Sequence, residues 1–308
     1  MPARKLSLGL LVFIAACGGG GGAGDTPPIV NPPPPPPQQN NVNINNATLT
    51  VADNSAISPG DTLTLVWSDE FDAAQLDPET WFFENGDGSQ YGIPGWGNNE
   101  LQWYLENSAL LENGMLIITA REEASNGKNY TSARINTRDR FAFRYGRIEA
   151  RIRLPGGQGI WPAFWMLPQD DTYGGWAASG EIDIVEAVNL GVAANNTVHG
   201  TIHHGGEWPN NVSTGNAYAV STDATADFHV YALEWDPAEI RWYVDDVMYA
   251  MQNAWSTTGA PYPAPFDQPF YILLNVAVGG NWPGAPNAST VFPVSMELDY
   301  VRVYSGEP

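Results

Sequence analysis

The sequence predicts an all-β protein: a large antiparallel β-sandwich, a fold that as a jelly roll can carry a ligand groove on one sheet face. Three observations predict it. Many short segments alternate apolar and polar residues, or run apolar and β-branched, as strands do. Turn clusters such as Asn113-Gly114, Pro155-Gly156-Gly157 and Gly205-Gly206 separate them, in a chain whose 308 residues include 32 Gly and 25 Pro. No amphipathic stretch of helical period exceeds about two turns. No internal repeat divides the chain, so a single sandwich is the simplest way to bury so many strands.

In chain order, the first element stands apart from that sandwich. Arg4 and Lys5 lead into an apolar run, Leu6 to Ala16, that is too short to span a bilayer and reads as an export signal over residues 1–16. The run ends Ile14-Ala15-Ala16-Cys17, which resembles the lipobox of bacterial lipoproteins, where the cysteine is lipidated and becomes the first mature residue. Cys17 is the only cysteine of the chain. Its solitude excludes an intramolecular disulfide and a Cys-based zinc cluster. Gly18 follows it, where an Asp would resemble an inner-membrane retention signal, so the expected destination is the outer membrane or cell surface. Residues 17–46 are Gly-rich, then Pro-rich (Pro32 to Pro37), then Gln/Asn-rich, with nothing to bury. They read as a disordered tether, whose polyproline part extends at about 3.1 Å per residue.

The folded domain is expected over residues 47–308. Its strands are read at Leu63–Trp67, Met115–Ala120, Ser132–Thr137, Tyr145–Leu154, Thr197–His203, Val230–Trp235, Ile240–Val244 and Met296–Tyr304. Thirteen basic against 34 acidic side chains give a net charge of −21. Loss of Arg4 and Lys5 with the signal leaves 11 basic side chains and moves the charge to −23. A partner bound by phosphate neutralisation is excluded on that balance, so no nucleic acid is expected. The membrane is expected to be reached only through the lipid anchor, and the domain is expected to be a monomer.

Chemistry concentrates at Gly180-Glu181-Ile182-Asp183-Ile184-Val185-Glu186. Three carboxylates in an otherwise apolar strand are costly to bury unless they are paired or functional. Glu181 and Asp183 share a face by the period of 2, whereas Glu186, five positions from Glu181, would point away. One β-bulge between Asp183 and Glu186 returns it to the same face. The glutamates are then spaced like i and i+4, roughly 13 Å between Cα atoms. Side chains leaning together can close this to the ~5 to 5.5 Å of a retaining glycosidase, and less lean permits the inverting separation. Crowding of three acids raises at least one pKa, as a general acid requires.

The flanking aromatics are of the kind that stack on sugar faces. Trp161 and Trp165 lie four apart in Trp161-Pro162-Ala163-Phe164-Trp165, on one face if that segment is a strand. Trp96 and Trp103 bracket Gly97-Asn98-Asn99-Glu100, and Trp282 follows Gly279-Gly280-Asn281. Candidate substrate contacts are therefore Trp161, Trp165, Asn98, Arg134, His199, His203 and Trp282, with the two histidines read as donors to sugar hydroxyls.

The segment Glu181-Ile182-Asp183-Ile184-Val185-Glu186, preceded by Trp161-Pro162-Ala163-Phe164-Trp165 and followed by Leu274 to Pro283, resembles glycoside hydrolase family 16 in its bacterial laminarinase branch. The similarity runs from Val66 to Tyr304. It implies a jelly roll that cleaves internal bonds of β-1,3-glucan with retention, with Glu181 as nucleophile, Asp183 as its supporting acid and Glu186 as acid/base. No catalytic cofactor is implied. A structural Ca²⁺ is, at positions matching Glu70, Gly114 and Asp299. Other polysaccharides remain as alternatives: mixed-linkage β-glucan, agarose or carrageenan, the last a poor fit to a chain with one Lys (Lys128) after the signal. A non-catalytic glucan-binding module is the third alternative, although relatives of that kind typically lack the glutamates present here.

Overall fold

The computed structural model describes residues 49–55, 57 and 61–307. The expected signal, the tether and Cys17 lie outside the described residues. Within them the strands are β1 (Thr50–Asp53), β2 (Thr62–Asp69), β3 (Phe82–Phe83), β4 (Gln102–Tyr104), β5 (Ala109–Glu112), β6 (Met115–Ala120), β7 (Tyr130–Ser132), β8 (Arg134–Asn136), β9 (Phe141–Arg144) and β10 (Gly146–Arg153). They continue as β11 (Ile160–Pro168), β12 (Glu181–Ala187), β13 (Thr197–Gly205), β14 (Asn211–Ala219), β15 (His229–Trp235), β16 (Ile240–Val244), β17 (Val247–Gln252), β18 (Phe270–Val278) and β19 (Val294–Glu307). The only helical pieces among the described residues are short 3₁₀ turns, as the absence of helical periodicity requires.

Two sheets face each other. The concave sheet runs β1-β9-β18-β11-β12-β13-β14, with β8 against β18 and β3 against β8. The convex sheet runs β17-β16-β15-β10-β19-β6-β5, with β2 on β19. The jelly-roll sandwich expected from the sequence is the architecture found. Alternation in β10 shows how the sequence builds it. Ile148, Ala150 and Ile152 enter the core, while Arg151 and Arg153 lie outward and pair with Asp299 and Glu297 on β19. From the concave sheet, Phe164 and Met166 of β11, Ile182 of β12, and Ile272, Leu274 and Val276 of β18 close the same core.

Strands β11 and β18 are buried on both faces, and so read as continuous apolar runs without alternation. The other face of β11 places Trp161, Ala163 and Trp165 in the concave surface. Pro162 is tolerated there because it is matched only to Val276 on β18; the ladder with β12 begins one residue later, at Ala163. One expected strand divides. Ser132–Thr137 breaks at Ala133, so β7 pairs with β4 in a small separate ladder and β8 joins the concave sheet. That break delivers Arg134 to the sheet that carries the acids.

Candidate active site

The three acids lie on one face because β12 carries the bulge that the spacing required. Against β13, Asp183 matches Thr201 and Glu186 matches His199, so Ile184 and Val185 together oppose Gly200 alone. Against β11, Asp183 matches Trp165 and Val185 matches Phe164, which leaves Ile184 as the unmatched residue. Both bulge side chains enter the core between the sheets, and Glu181, Asp183 and Glu186 emerge on the concave side. Trp242 of the convex sheet reaches across the core and donates its indole N–H to the Asp183 carbonyl at 2.8 Å. Gly200 makes room for that indole, since a Cβ there would stand 2.3 Å from the Trp242 ring.

A cleft of about 350 Å³ opens above the acids, lined also by Asn98, Glu100, Arg134, Trp161, Trp165 and Asn275. Each glutamate has its own indole donor. Trp176 Nε1 donates to Glu181 at 2.9 Å and Trp161 Nε1 to Glu186 at 3.0 Å. His203 Nε2 approaches Asp183 Oδ2 to 3.2 Å and Glu181 Oε1 to 3.7 Å, while its Nδ1 bonds the Ser213 hydroxyl at 2.8 Å. The Asp183 approach lacks hydrogen-bond alignment, so Oδ2 has no aligned donor.

Burial dominates the electrostatics. It raises the Glu186 carboxyl to about 8, with the nearby Asp183 adding to the rise and His203 and the Trp161 N–H opposing it. Burial lifts Asp183 and Glu181 as well, and Glu181 rises further through the charges of Asp183 and Glu186. The cluster therefore carries fewer charges than carboxyls at neutral pH, and its titration belongs to the group as a whole. At Glu181 the Trp176 indole donor and the field of Arg134 oppose the rise. Burial also pushes the His199 and His203 imidazoles down to about 4, which keeps both neutral.

The signs of these shifts set a pH test. A carboxyl with a raised folded pKa contributes stability that is complete below its unfolded value near 4.5 and is lost as pH climbs through about 8. The buried histidines act oppositely, losing stability as pH falls from 6.5 toward about 4. Glu186→Gln, a neutral isostere, is accordingly expected to melt several degrees above wild type at pH 9, with the difference fading toward pH 5. A constant difference across that range, measured by thermal unfolding, would show that Glu186 is not held protonated.

The other residues read from the sequence separate into two groups. Asn98, Arg134, Trp161 and Trp165 do reach the cleft. Arg134 is clamped, with its guanidinium 4.4 Å over Trp96 and 4.8 Å over Trp165 and an ion pair to buried Glu84. Trp165 Nε1 donates to Asn275 at 2.8 Å. His203, read as a donor to sugar hydroxyls, stands with the acids and bonds the Ser213 hydroxyl. Trp96 is fully buried beneath Arg134 and is no stacking platform. His199 and Trp282 meet edge to face at 5.0 Å beside Trp161, and neither lines the cleft over the acids.

Three residues with clear roles escaped the sequence reading. Trp176 arrives from the loop before β12, outside any periodic segment. Glu100 is buried in the cleft wall and accepts from Gln102 at 2.6 Å and Tyr104 at 3.2 Å, with its pKa raised by burial. Asn275 sits inside the apolar run of β18. The spacing Glu100-x-Gln102-x-Tyr104, polar and alternating beside Gly97-Asn98-Asn99, was the available signal for Glu100.

Two of the side chains considered for calcium are held in ion pairs. Both Glu70 carboxylate oxygens accept from Arg302, at 2.9 and 2.7 Å, and Asp299 Oδ2 accepts from Arg151 at 2.8 Å. The Glu70 carboxylate therefore does not fit as a ligand. What remains at these positions is a set of main-chain carbonyls and Asp299 Oδ1, oxygen donors of the type Ca²⁺ accepts.

Comparison with known proteins follows the same lines. The family described as Glycosyl hydrolases family 16 matches residues 96–301. A glucan endo-1,3-beta-glucosidase A1 of Niallia circulans is 43% identical over 261 residues, 79% of this chain and 38% of its own length. A beta-glucanase of Rhodothermus marinus is 46% identical over 253 residues, 78% of this chain and 84% of its own. The chain thus spans little more than a third of the first relative and most of the second. Among solved structures, the laminarinase catalytic domain from Thermotoga maritima superposes with a TM-score of 0.71 at 41% identity, over 80% of this chain and 99% of that one. The laminarinase from Rhodothermus marinus gives 0.71 at 42% identity, over 81% and 100%.

Proposed function

The chain belongs to glycosyl hydrolase family 16, and from that premise we propose that it hydrolyses internal β-1,3-glucosidic bonds of laminarin-type β-glucan with retention of configuration. The observation that carries this reading is the pair of glutamates on one cleft floor, each held by its own indole N–H. Glu181 attacks the anomeric carbon while protonated Glu186 gives its proton to the departing glucosidic oxygen. Glu186, now ionised, takes a proton from water, whose oxygen displaces Glu181 and restores both carboxyls. Asp183 lies between the two, where any charge it carries raises the Glu186 pKa, with the His203 ring 3.2 Å from its Oδ2. None of these steps draws on a cofactor.

Product analysis on laminarin, lichenan, agarose and carrageenan tests the substrate. Release of short β-1,3-oligosaccharides from laminarin, with internal cuts preceding small products, supports the reading. Cleavage of agarose or carrageenan alone would transfer the chain to another substrate of the same fold, and binding of laminarin without hydrolysis would make it a binding module.

Two further parts of the proposal concern regions away from the cleft. We place the chain at the outer membrane or cell surface as a monomer anchored by lipid on Cys17, since an acidic domain is repelled by anionic headgroups and acyl chains alone supply affinity. Cys17→Ser is expected to move the protein from the membrane fraction to the soluble one or leave it unprocessed. A wild-type N-terminus elsewhere than Cys17, without lipid, would overturn the anchor. A structural Ca²⁺, held by main-chain carbonyls near Glu70, Gly114 and Asp299, should raise Tm when added and lower it when chelated; an indifferent Tm removes it.

A further inference from the structure

All but one of the twelve tryptophans are at least half-buried; Trp208 is 52% exposed. Among the described residues no ring packs on it and no acceptor takes its indole N–H. An indole left in water is unfavourable, and the backbone that carries this one is fastened. Its loop, between β13 and β14, is fastened to two others. Trp208 N donates to the Trp176 carbonyl at 2.9 Å, and Glu207 Oε1 accepts from Gly175 N at 2.7 Å. On the far side, Gly205 N donates to the Ser256 carbonyl and Thr258 N to the Gly205 carbonyl, both at 2.8 Å.

The fastening leads to the cleft. Trp176, whose carbonyl receives Trp208 N, is the residue whose indole holds Glu181. Trp208 therefore lies at the Glu181 end of β12, one backbone hydrogen bond from Trp176. An exposed apolar plate on a loop tied to the segment that holds Glu181 is suited to the C–H face of a pyranose.

We propose that Trp208 is a sugar-stacking platform outside the catalytic cleft, taking a glucosyl unit of a polymeric β-glucan beyond those that touch the acids. This rests on the β-glucan reading above. A platform of this kind acts only on chains long enough to reach it. It raises affinity for polymer without changing the bond-breaking step.

The test compares wild type, Trp208→Ala and Trp208→Phe on laminarin and on laminaritriose. Trp208→Ala is expected to raise KM on laminarin roughly 5-fold at unchanged kcat, with trisaccharide kinetics and Tm unaltered and Trp208→Phe intermediate. Tyr262→Ala serves as control. Its ring is 48% exposed as well, but its hydroxyl bonds the Ala238 carbonyl in the turn between β15 and β16 of the convex sheet, and its kinetics should match wild type. Unchanged KM on laminarin, an equal loss on polymer and trisaccharide, or the same loss from Tyr262→Ala would each overturn the platform. A wild type that leaves laminarin intact would overturn the activity reading and the platform with it.

Discussion

Glu186→Ala is expected to lose about 10³- to 10⁴-fold in kcat on laminarin, the share that a positioned general acid and base supplies. It should keep the first step on aryl glycosides whose leaving group needs no proton, with azide restoring turnover and yielding a β-glycosyl azide. Glu181→Ala fails differently. Without the nucleophile no glycosyl-enzyme forms, so azide enters from the vacated side and gives the α-azide. The structure makes the contrast sharp, because each glutamate has a separate indole donor and losing one leaves the other in place. Azides of the same configuration from both variants, or an α-anomer as the first product from β-glucan by NMR, would reverse the assignment.

The second large effect comes from the bulge. Inserting one residue after Val185 should abolish activity. If the bulge persists, Glu186 turns into the apolar core at the place Ala187 now holds; if it straightens, the glutamate moves on by about 6.6 Å, two strand residues. Deleting Ile184, which has no match on β11, gives Glu-x-Asp-x-Glu with every acid still on the concave face. That variant is expected to retain partial activity, with altered linkage preference. Full activity in the insertion variant, or none in a folded deletion variant, would break the link between the bulge and catalysis.

How much of this was visible in the sequence depends on whether the information was local. The parity of Glu181, Asp183 and Glu186 demanded a bulge, and the ladder has one between Asp183 and Glu186. Strand parity counts residues without saying which one loses its partner, and only the β11 ladder shows that Ile184 is the unmatched one. Trp161 and Trp165 shared a face by the same parity. Their N–H groups proved to be committed to Glu186 and Asn275, a pairing made by neighbouring strands that no spacing within β11 contains. Glu84 was invisible because it comes from a distant segment to hold Arg134, and Trp176, close to Glu181 in sequence, lies in a loop with no periodic signal. His203 was found as well. Its residue type suggested a hydroxyl donor, while burial beside Asp183 and Ser213 makes it a neutral spacer behind the acids.

Trp242 gives the convex sheet a part in the chemistry. Its indole spans the sandwich to the Asp183 carbonyl, and Gly200 leaves the gap through which it passes. Thermostability and turnover thus share a strut: a core redesign that shortens Trp242, or fills the gap at Gly200, would slacken the backbone that sets the interval between the two glutamates. An engineer hardening this protein against heat would do well to work from the ends of the sandwich, and to treat the packed layer under β12 as part of the catalyst.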